Sequence, residues 1–299
     1  MRIGSRRSAL ALAQAKLVAE LLGGCEVLPM VTGGDRGVGG QDKSRWVAEL
    51  EDALLAGEID LAVHSAKDVP GSLPQGLSLV GAPPRAAAED VLCGASSLRE
   101  IPAGGRIGTS SIRRLGQLRA ARDDLEVVPL RGNVDTRLRR LADRDEGLWA
   151  IVLARAGLQR LGREEEVGGV LDPERFVPAP GQGILAIEGR SEDSPARRAA
   201  EAITDPQTLA CLLAERALAR ELQASCQTPL GAHAEPAGGG RLRLRAWVGL
   251  PDGSAWASDE LLGELADPDG LGRAVCERLT AAGGGELLRQ VQEEAGVER

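Results

Sequence analysis

The sequence predicts open α/β sheets with helices on their faces through the first two-thirds of the chain, and a small separate α+β unit in the last third. Three observations carry this expectation. Short apolar strands alternate with helical stretches from Arg2 to Ile187. Several helices follow strands directly, the β-then-α rhythm of sheets with covered faces. After two consecutive helices the pattern changes to an alternating strand, a turn and further helix. A chain of 299 residues is long enough for two or three domains, each burying a core.

In chain order, strands are expected at Arg2–Gly4, Glu26–Val31, Ile59–Val63, Leu77–Gly81, Val91–Cys93, Arg106–Gly108, Leu125–Val128, Trp149–Leu153 and Ile184–Ile187. A helix over Ser8–Leu22 places Leu10, Ala13, Leu17 and Leu21 on one stripe. Another over Trp46–Ala56 stops at Gly57, a C-cap residue. Ser110–Ala121 and Val134–Asp143 read as helices that follow strands. The last third opens with helices at Pro195–Ile203 and Pro206–Leu222, then the alternating strand Leu242–Leu250. Beyond the turn signal Pro251-Asp252-Gly253, more strand precedes helices near Leu271–Ala281 and Glu286–Glu294. Two stretches read as connections between units, Ala82–Arg85 and Phe176–Gly183.

Composition narrows the function. The net charge of −8, with four Trp, one Phe and no Tyr, argues against a nucleic-acid partner. No apolar run of 18 residues is present, so no membrane span is expected. The apolar run after Arg6 and Arg7 is too short for a signal peptide, and the segment is expected to belong to the mature protein. Five scattered cysteines without a C-x-x-C suggest a reducing, cytoplasmic setting, and neither His64 nor His233 has a partner at metal-ligand spacing. Nothing in the sequence demands more than a monomer.

Charge is unevenly distributed. Residues 106–163 hold 13 Arg against 7 acids, a local +6 that leaves −14 on the remainder. Such a segment suits an anionic ligand. Arg119, Arg122, Arg139, Arg140 and Arg144 read as surface residues. Arg113, Arg114, Arg131 and Arg137 fall at or soon after strand-to-helix turns, where free N–H groups and the helix dipole also favour an anion.

Two nucleotide motifs almost match and fail. In Gly37–Ser44 an acidic Asp42 precedes Lys43, which would repel phosphate. Gly181–Ala186 fits G-x-G-x-x-A, yet prolines precede it and strand follows it. The Gly33–Gly40 stretch reads as a surface loop and a candidate lid. The stronger signal is IDLAVHSAKDVP, residues 59–70, in which a buried strand is expected to deliver His64, Ser65, Lys67 and Asp68 onto the turn after its carboxyl end. Ligands of open α/β sheets bind at such ends.

The motifs IGSRRSALALAQA, AVHSAKDVP, GTSSIRRLGQL, LRGNVDTRL, LARAGLQRLG, PAPGQGILAIE and ASCQTPLGAHAE occur in this order along the whole chain. Together they resemble the porphobilinogen deaminases, also called hydroxymethylbilane synthases. The resemblance implies two α/β domains like those of periplasmic binding proteins, flanking a cleft, and a small α+β C-terminal domain. It places domain 1 at residues 1–84 with 182–203, domain 2 at 88–178 and domain 3 at 206–299. It implies a transferase of tetrapyrrole biosynthesis that joins four porphobilinogens with loss of ammonia, then releases hydroxymethylbilane with water.

It further implies a dipyrromethane cofactor on a thioether to Cys226 and a catalytic Asp68. Lys67, Ser65, Thr109, Ser111, Arg113 and Arg114 correspond to cofactor contacts. Arg6, Ser8, Gln14, Arg131, Arg137 and Arg160 correspond to substrate and chain contacts. Cys25, Cys93, Cys211 and Cys276 are expected to be ordinary small apolar residues. Each pyrrole ring carries an acetate and a propionate, which guanidinium groups pair bidentately at any relevant pH. Departures from the family pattern cluster near the candidate lid: Ala48 replaces a usual Lys, Trp46 a usual Phe, and Gln41-Asp42 part of a Gly/Lys-rich stretch. The alternative reading is a non-catalytic two-lobed binding protein for a small polycarboxylate, which would have no need of an anchoring cysteine.

Overall fold

A computed structural model describes residues 1–31, 44–225 and 227–297. The near-P-loop segment up to Lys43, the candidate lid and Cys226 therefore lie outside the described residues.

The first sheet contains β1 (Arg2–Arg6), β2 (Glu26–Met30), β3 (Leu61–Ser65), β4 (Leu77–Gly81) and a late return strand. The second contains β5 (Asp90–Cys93), β6 (Arg106–Gly108), β7 (Glu126–Val128), β8 (Leu148–Ala154) and β9 (Gly169–Val170). The return strand is β10 (Leu185–Arg190), so the strand orders are β2-β1-β3-β10-β4 and β7-β6-β8-β5-β9. In each sheet a parallel trio is joined on one side by an antiparallel strand, β10 beside β3 and β5 beside β8. Each antiparallel strand arrives from the other sheet's side of the molecule. The chain therefore crosses between the lobes twice, around residues 82–89 and 171–184.

Helices cover both sheets. On the first, α1 (Ala9–Leu21) and α6 (Pro195–Ala202) pack with Ile3, Leu61, Val63 and Ile187, while α2 (Ser44–Leu55) packs Leu50 and Leu54 against Ala62. Successive strand residues face opposite sides, which is why Leu61 and Val63 meet one layer and Ala62 the other. On the second sheet lie α3 (Ile112–Ala121), α4 (Val134–Ala142) and α5 (Arg155–Arg160). Leu118 joins a core with Ile107 and Val152, and Leu138 and Leu158 join one with Val91 and Leu153.

The C-terminal unit is an antiparallel sheet of β11 (Leu230–Gly238), β12 (Arg241–Gly249) and β13 (Trp256–Glu264). One face is covered by α7 (Pro206–Glu221) and α8 (Pro268–Leu279), with α9 (Gly285–Val297) closing the chain. The other side of α7 reaches the first lobe, where Leu212 packs with Ala66, Val69 and Ile184.

Several boundaries differ from the sequence reading. The third strand runs from Leu61 to Ser65, later than expected, because Ser65 is held in register with Leu185 of β10. The helix expected from Ser110 begins at Ile112, since Ser111 is its N-cap. Three elements were not foreseen: α5, only six residues long and carrying Gly157; β9, a two-residue edge; and β11, whose Pro236 is tolerated in an edge strand.

Candidate active site

The turn with the acidic residue is built by three neighbours. After Ser65 the chain enters a 3-10 turn, Ala66–Asp68, leaving Lys67 and Asp68 half-buried. The Ala66 amide donates to the Ile184 carbonyl at 3.0 Å, tying the turn to the returning crossing. From α7, Arg216 donates to the carbonyls of Pro70 (2.7 Å) and Gly71 (3.1 Å), fixing the exit. On the other side Gln14 of α1 is buried, and its Nε2 donates to Ser65 Oγ at 2.8 Å. Ser8 caps α1, its hydroxyl accepting from the Ala11 amide at 3.3 Å. The helix that β1 feeds thus begins where Arg6 leaves the sheet.

The second lobe supplies cations. Past β6, Thr109 Oγ1 accepts from the Ser111 amide and Ser111 Oγ from the Arg114 amide, so both hydroxyls shape the start of α3. Arg113 and Arg114 are nearly fully buried. Both grip Asp90: Arg113 Nη2 at 2.8 Å, and Arg114 through Nη2 at 2.6 Å and Nε at 3.1 Å. Arg113 also donates to Gln117 and the Val177 carbonyl, and Arg114 to the Val152 carbonyl. Burial would raise the Asp90 carboxyl, but the two guanidinium groups and the hydrogen bonds from Arg114 and Gln182 hold it well below the usual range.

Arg137 on α4 donates to the Gly132 carbonyl, and Arg160 at the end of α5 to the Gly183 carbonyl. Burial lowers both to about 10, with Arg114 adding repulsion at Arg137. Both therefore remain cationic near neutrality. Arg131 is exposed on the loop before α4, which Asn133 caps.

One cavity of about 100 Å³ lies where these elements meet. Gln14, Ser65 and Lys67 line it from the first lobe, Arg114, Arg137 and Arg160 from the second, and Gly181 and Gly183 from the crossing. Arg6, Ser8, Asp68, Thr109, Ser111, Arg113 and Arg131 are not among its lining residues. Arg113 spends its Nη donors on interior partners, and its Nε has no hydrogen-bond partner among the described residues. Asp68 adjoins the cavity through Lys67. Of the residues expected on the surface, Arg139 and Arg144 are exposed, whereas Arg122 also donates to the Leu98 and Ile101 carbonyls.

Residues without a local sequence signal complete the arrangement. Arg85 of the outgoing crossing donates to Glu215 Oε1 (2.7 Å) and to the carbonyls of Gln182 and Ala234. Glu215, with no exposed surface, also accepts from the amides of Gly181 and Ala234. Gln182 Nε2 donates to Asp90. A chain of polar contacts thus runs from α7 through both crossings to the buried arginine pair. Only the tertiary fold brings these residues together.

Two lobes of like topology, closing on a cavity lined by guanidinium groups and an ammonium, define a cleft protein for a ligand with several carboxylates. Residues 1–198 match the family model described as porphobilinogen deaminase, dipyromethane cofactor binding domain, and residues 209–281 match that of the porphobilinogen deaminase C-terminal domain. The chain belongs to the porphobilinogen deaminase family. It is 44% identical to the porphobilinogen deaminase of Thiobacillus denitrificans, over 96% of this chain and 97% of that protein. It is 40% identical to that of Thermus thermophilus, over 97% and 98%. Among solved structures, a TRAP periplasmic solute binding protein from Ralstonia eutropha is similar over 75% of this chain and 80% of that one, at 14% identity and a TM-score of 0.39. End-to-end likeness to deaminases disfavours the alternative of a non-catalytic binder.

Proposed function

We propose that this chain is a transferase that joins four porphobilinogen molecules head to tail onto an enzyme-held dipyrromethane, and then releases hydroxymethylbilane with water. The observation that carries the reading is the convergence of Lys67, Arg114, Arg137 and Arg160 on one cavity at the carboxyl ends of both sheets. We assign domain 1 to residues 1–84 with 182–203, domain 2 to 88–178 and domain 3 to 206–299. The same reading places the protein in the cytoplasm as a monomer.

The cavity's own groups fit a dipyrromethane, whose two rings bear four carboxylates between them. Arg160 Nε, in the lining, and Arg113 Nε, outside it, are buried donors without a hydrogen-bond partner among the described residues. Such donors suit an incoming carboxylate. Lys67, Arg113 and Arg114 would hold it, with Ser65, Thr109 and Ser111 beside them, and Cys226 would anchor it through a thioether. When bound, it supplies the free pyrrole carbon to which the first porphobilinogen is joined.

Asp68 carries the chemistry of the chain itself. As the C–N bond of porphobilinogen breaks and ammonia leaves, positive charge develops at the pyrrole N–H, and a fixed carboxylate stabilises it. Once the new C–C bond has formed, the attacking carbon sheds its proton, and the Asp68 carboxylate assists that transfer. Arg6, Arg131, Arg137 and Arg160, with Ser8 and Gln14, hold the carboxylates of substrate and growing chain. One acid at one turn serves each addition, so the chain must move past it.

Intact-mass measurement of the purified protein tests the reading. The expected mass exceeds the sequence mass by one dipyrromethane, and Cys226→Ser loses the increment together with turnover. A bare-sequence mass with no porphobilinogen consumption after substrate is supplied would overturn it.

A further inference from the structure

The turn that carries Lys67 and Asp68 is held differently on its two sides. Its entry is fixed by backbone within the first lobe, where Ser65 is in register with Leu185 and the Ala66 amide donates to the Ile184 carbonyl. His64, expected on the turn, stays inside β3, and its Nε2 stands 3.0 Å from Oε2 of the buried Glu188 on β10. The exit has no such ladder. The Val69 amide donates to the Ala66 carbonyl, but residues 70–73 take part in no backbone–backbone hydrogen bond among the described residues. Pro70 has no amide hydrogen to offer.

One stripe of α7 meets that exit. Leu209, Leu212, Arg216 and Arg220 follow one another at steps of three, four and four, which places them on a single helix face. Leu209 and Leu212 pack with Ala66 and Val69, and a Cβ built on Gly71 would stand 3.8 Å from Cγ of Arg220. Between them Arg216 donates through Nη1 to the Val69 carbonyl at 3.3 Å, and through Nη2 to those of Pro70 at 2.7 Å and Gly71 at 3.1 Å. Its planar fork thus gathers the three carbonyls that follow Asp68. The opposite face of α7, with Cys211, Ala214 and Leu218, is buried in the C-terminal core, so the clasp is anchored in that unit. Cys226 comes five positions after Glu221, the last residue of the same helix.

We propose that Arg216 is a positioning residue for the reaction: from the C-terminal unit it sets where the Asp68 carboxylate stands. The unit whose sequence holds the anchoring cysteine then also aims the acid. The inference rests on the assignment of Asp68 to the reaction. Without the clasp, the backbone directly after Asp68 loses its three bonds at once, while the entry through Ala66 is untouched. The carboxylate then samples positions away from the pyrrole N–H, and a misplacement of about 1 Å at a reacting group costs on the order of 100-fold in rate. Binding of substrate carboxylates by Arg137 and Arg160 does not pass through this contact, so the loss falls on kcat and not on KM.

The test is a double-mutant cycle on the holoenzyme with porphobilinogen as substrate. Arg216→Met should lower kcat by about tenfold or more, with KM changed by less than about twofold and the dipyrromethane still present in the intact mass. Arg216→Lys keeps the charge but not the fork, and should recover part of the lost kcat. Added to Asp68→Asn, Arg216→Met should slow turnover by less than about twofold further, because its effect acts through the carboxylate already removed. Should Arg216→Met fail to fold, Arg216→Lys completes the same cycle. Normal kcat in Arg216→Met, or losses that multiply in the double variant, overturns the proposal. Normal turnover in Asp68→Asn alone would instead remove the assignment of Asp68, whereas a slow Asp68→Asn with multiplying losses removes only the role of Arg216.

Discussion

Gly181 lies against Lys67: a Cβ built on the glycine would stand 2.9 Å from the Lys67 amide nitrogen and 2.9 Å from the Ala66 carbonyl carbon. The returning crossing therefore presses directly on the turn that bears Asp68. Gly181 also has φ +75, a left-handed conformation that costs a substituted residue strain of its own. Gly181→Ala should lose about 1–3 kcal/mol of stability and most of its turnover. Gly238→Ala is the control, having the same φ and open space around it. Its melting temperature should fall less and its kcat should hold.

Asp68→Asn keeps size and most hydrogen bonding but removes the charge. Turnover should drop by roughly 100-fold or more, the scale expected when a fixed group stabilising transition-state charge is lost. Intact mass should still include the dipyrromethane, because Asp68 does not attach it. Near-normal turnover would exclude Asp68 from the reaction.

Arg137→Leu and Arg160→Leu remove cavity cations that pair with ligand carboxylates. Each should slow elongation, so that mass spectra after a porphobilinogen pulse show covalent species with one to three added units. Since neither residue holds the buried Asp90, melting temperatures should change little. A normal distribution of intermediates in both variants would place the growing chain elsewhere.

Opposite pH dependences of stability should separate Glu51 from Asp90. The Glu51 carboxyl sits at about 7 in the folded protein against 4.5 as the reference value, so the folded state binds its proton more tightly. The stability this confers is full below pH 4.5 and disappears as pH rises through 7. Glu51→Gln should thus melt above the unsubstituted protein at pH ~8 and converge with it toward pH ~5. Asp90 is shifted downward, so its contribution is present above 3.8 and is lost only as pH falls through the lowered value. Asp90→Asn strands two buried guanidinium groups and should cost about 3–5 kcal/mol near neutrality. Melting curves across pH check both signs.

Legibility in the sequence followed the range of the forces involved. Leu77–Gly81 and Arg106–Gly108 were read to the residue, and the starts of α6 and α7 at Pro195 and Pro206 follow from Ser194 and Asp205 as caps just before proline. Ser65, Lys67 and Asp68 were legible because a buried strand leading into a turn is a local pattern. Arg85, Gln182, Glu215 and Arg216 were not, because their partners lie 92 to 149 residues away for Arg85, Gln182 and Arg216 in the contacts that matter. Arg113 shows both sides of this limit: its place at a helix start is a local pattern, whereas its ion pair with Asp90, 23 residues earlier, is not.

Both strands linking the lobes end on one carboxylate, since Arg85 of the first and Gly181 of the second bond to Glu215. Neither can swing while the other stays still. Any widening of the gape between the lobes must turn the pair together about a fulcrum seated in α7, so the C-terminal unit sets how far the jaws can part.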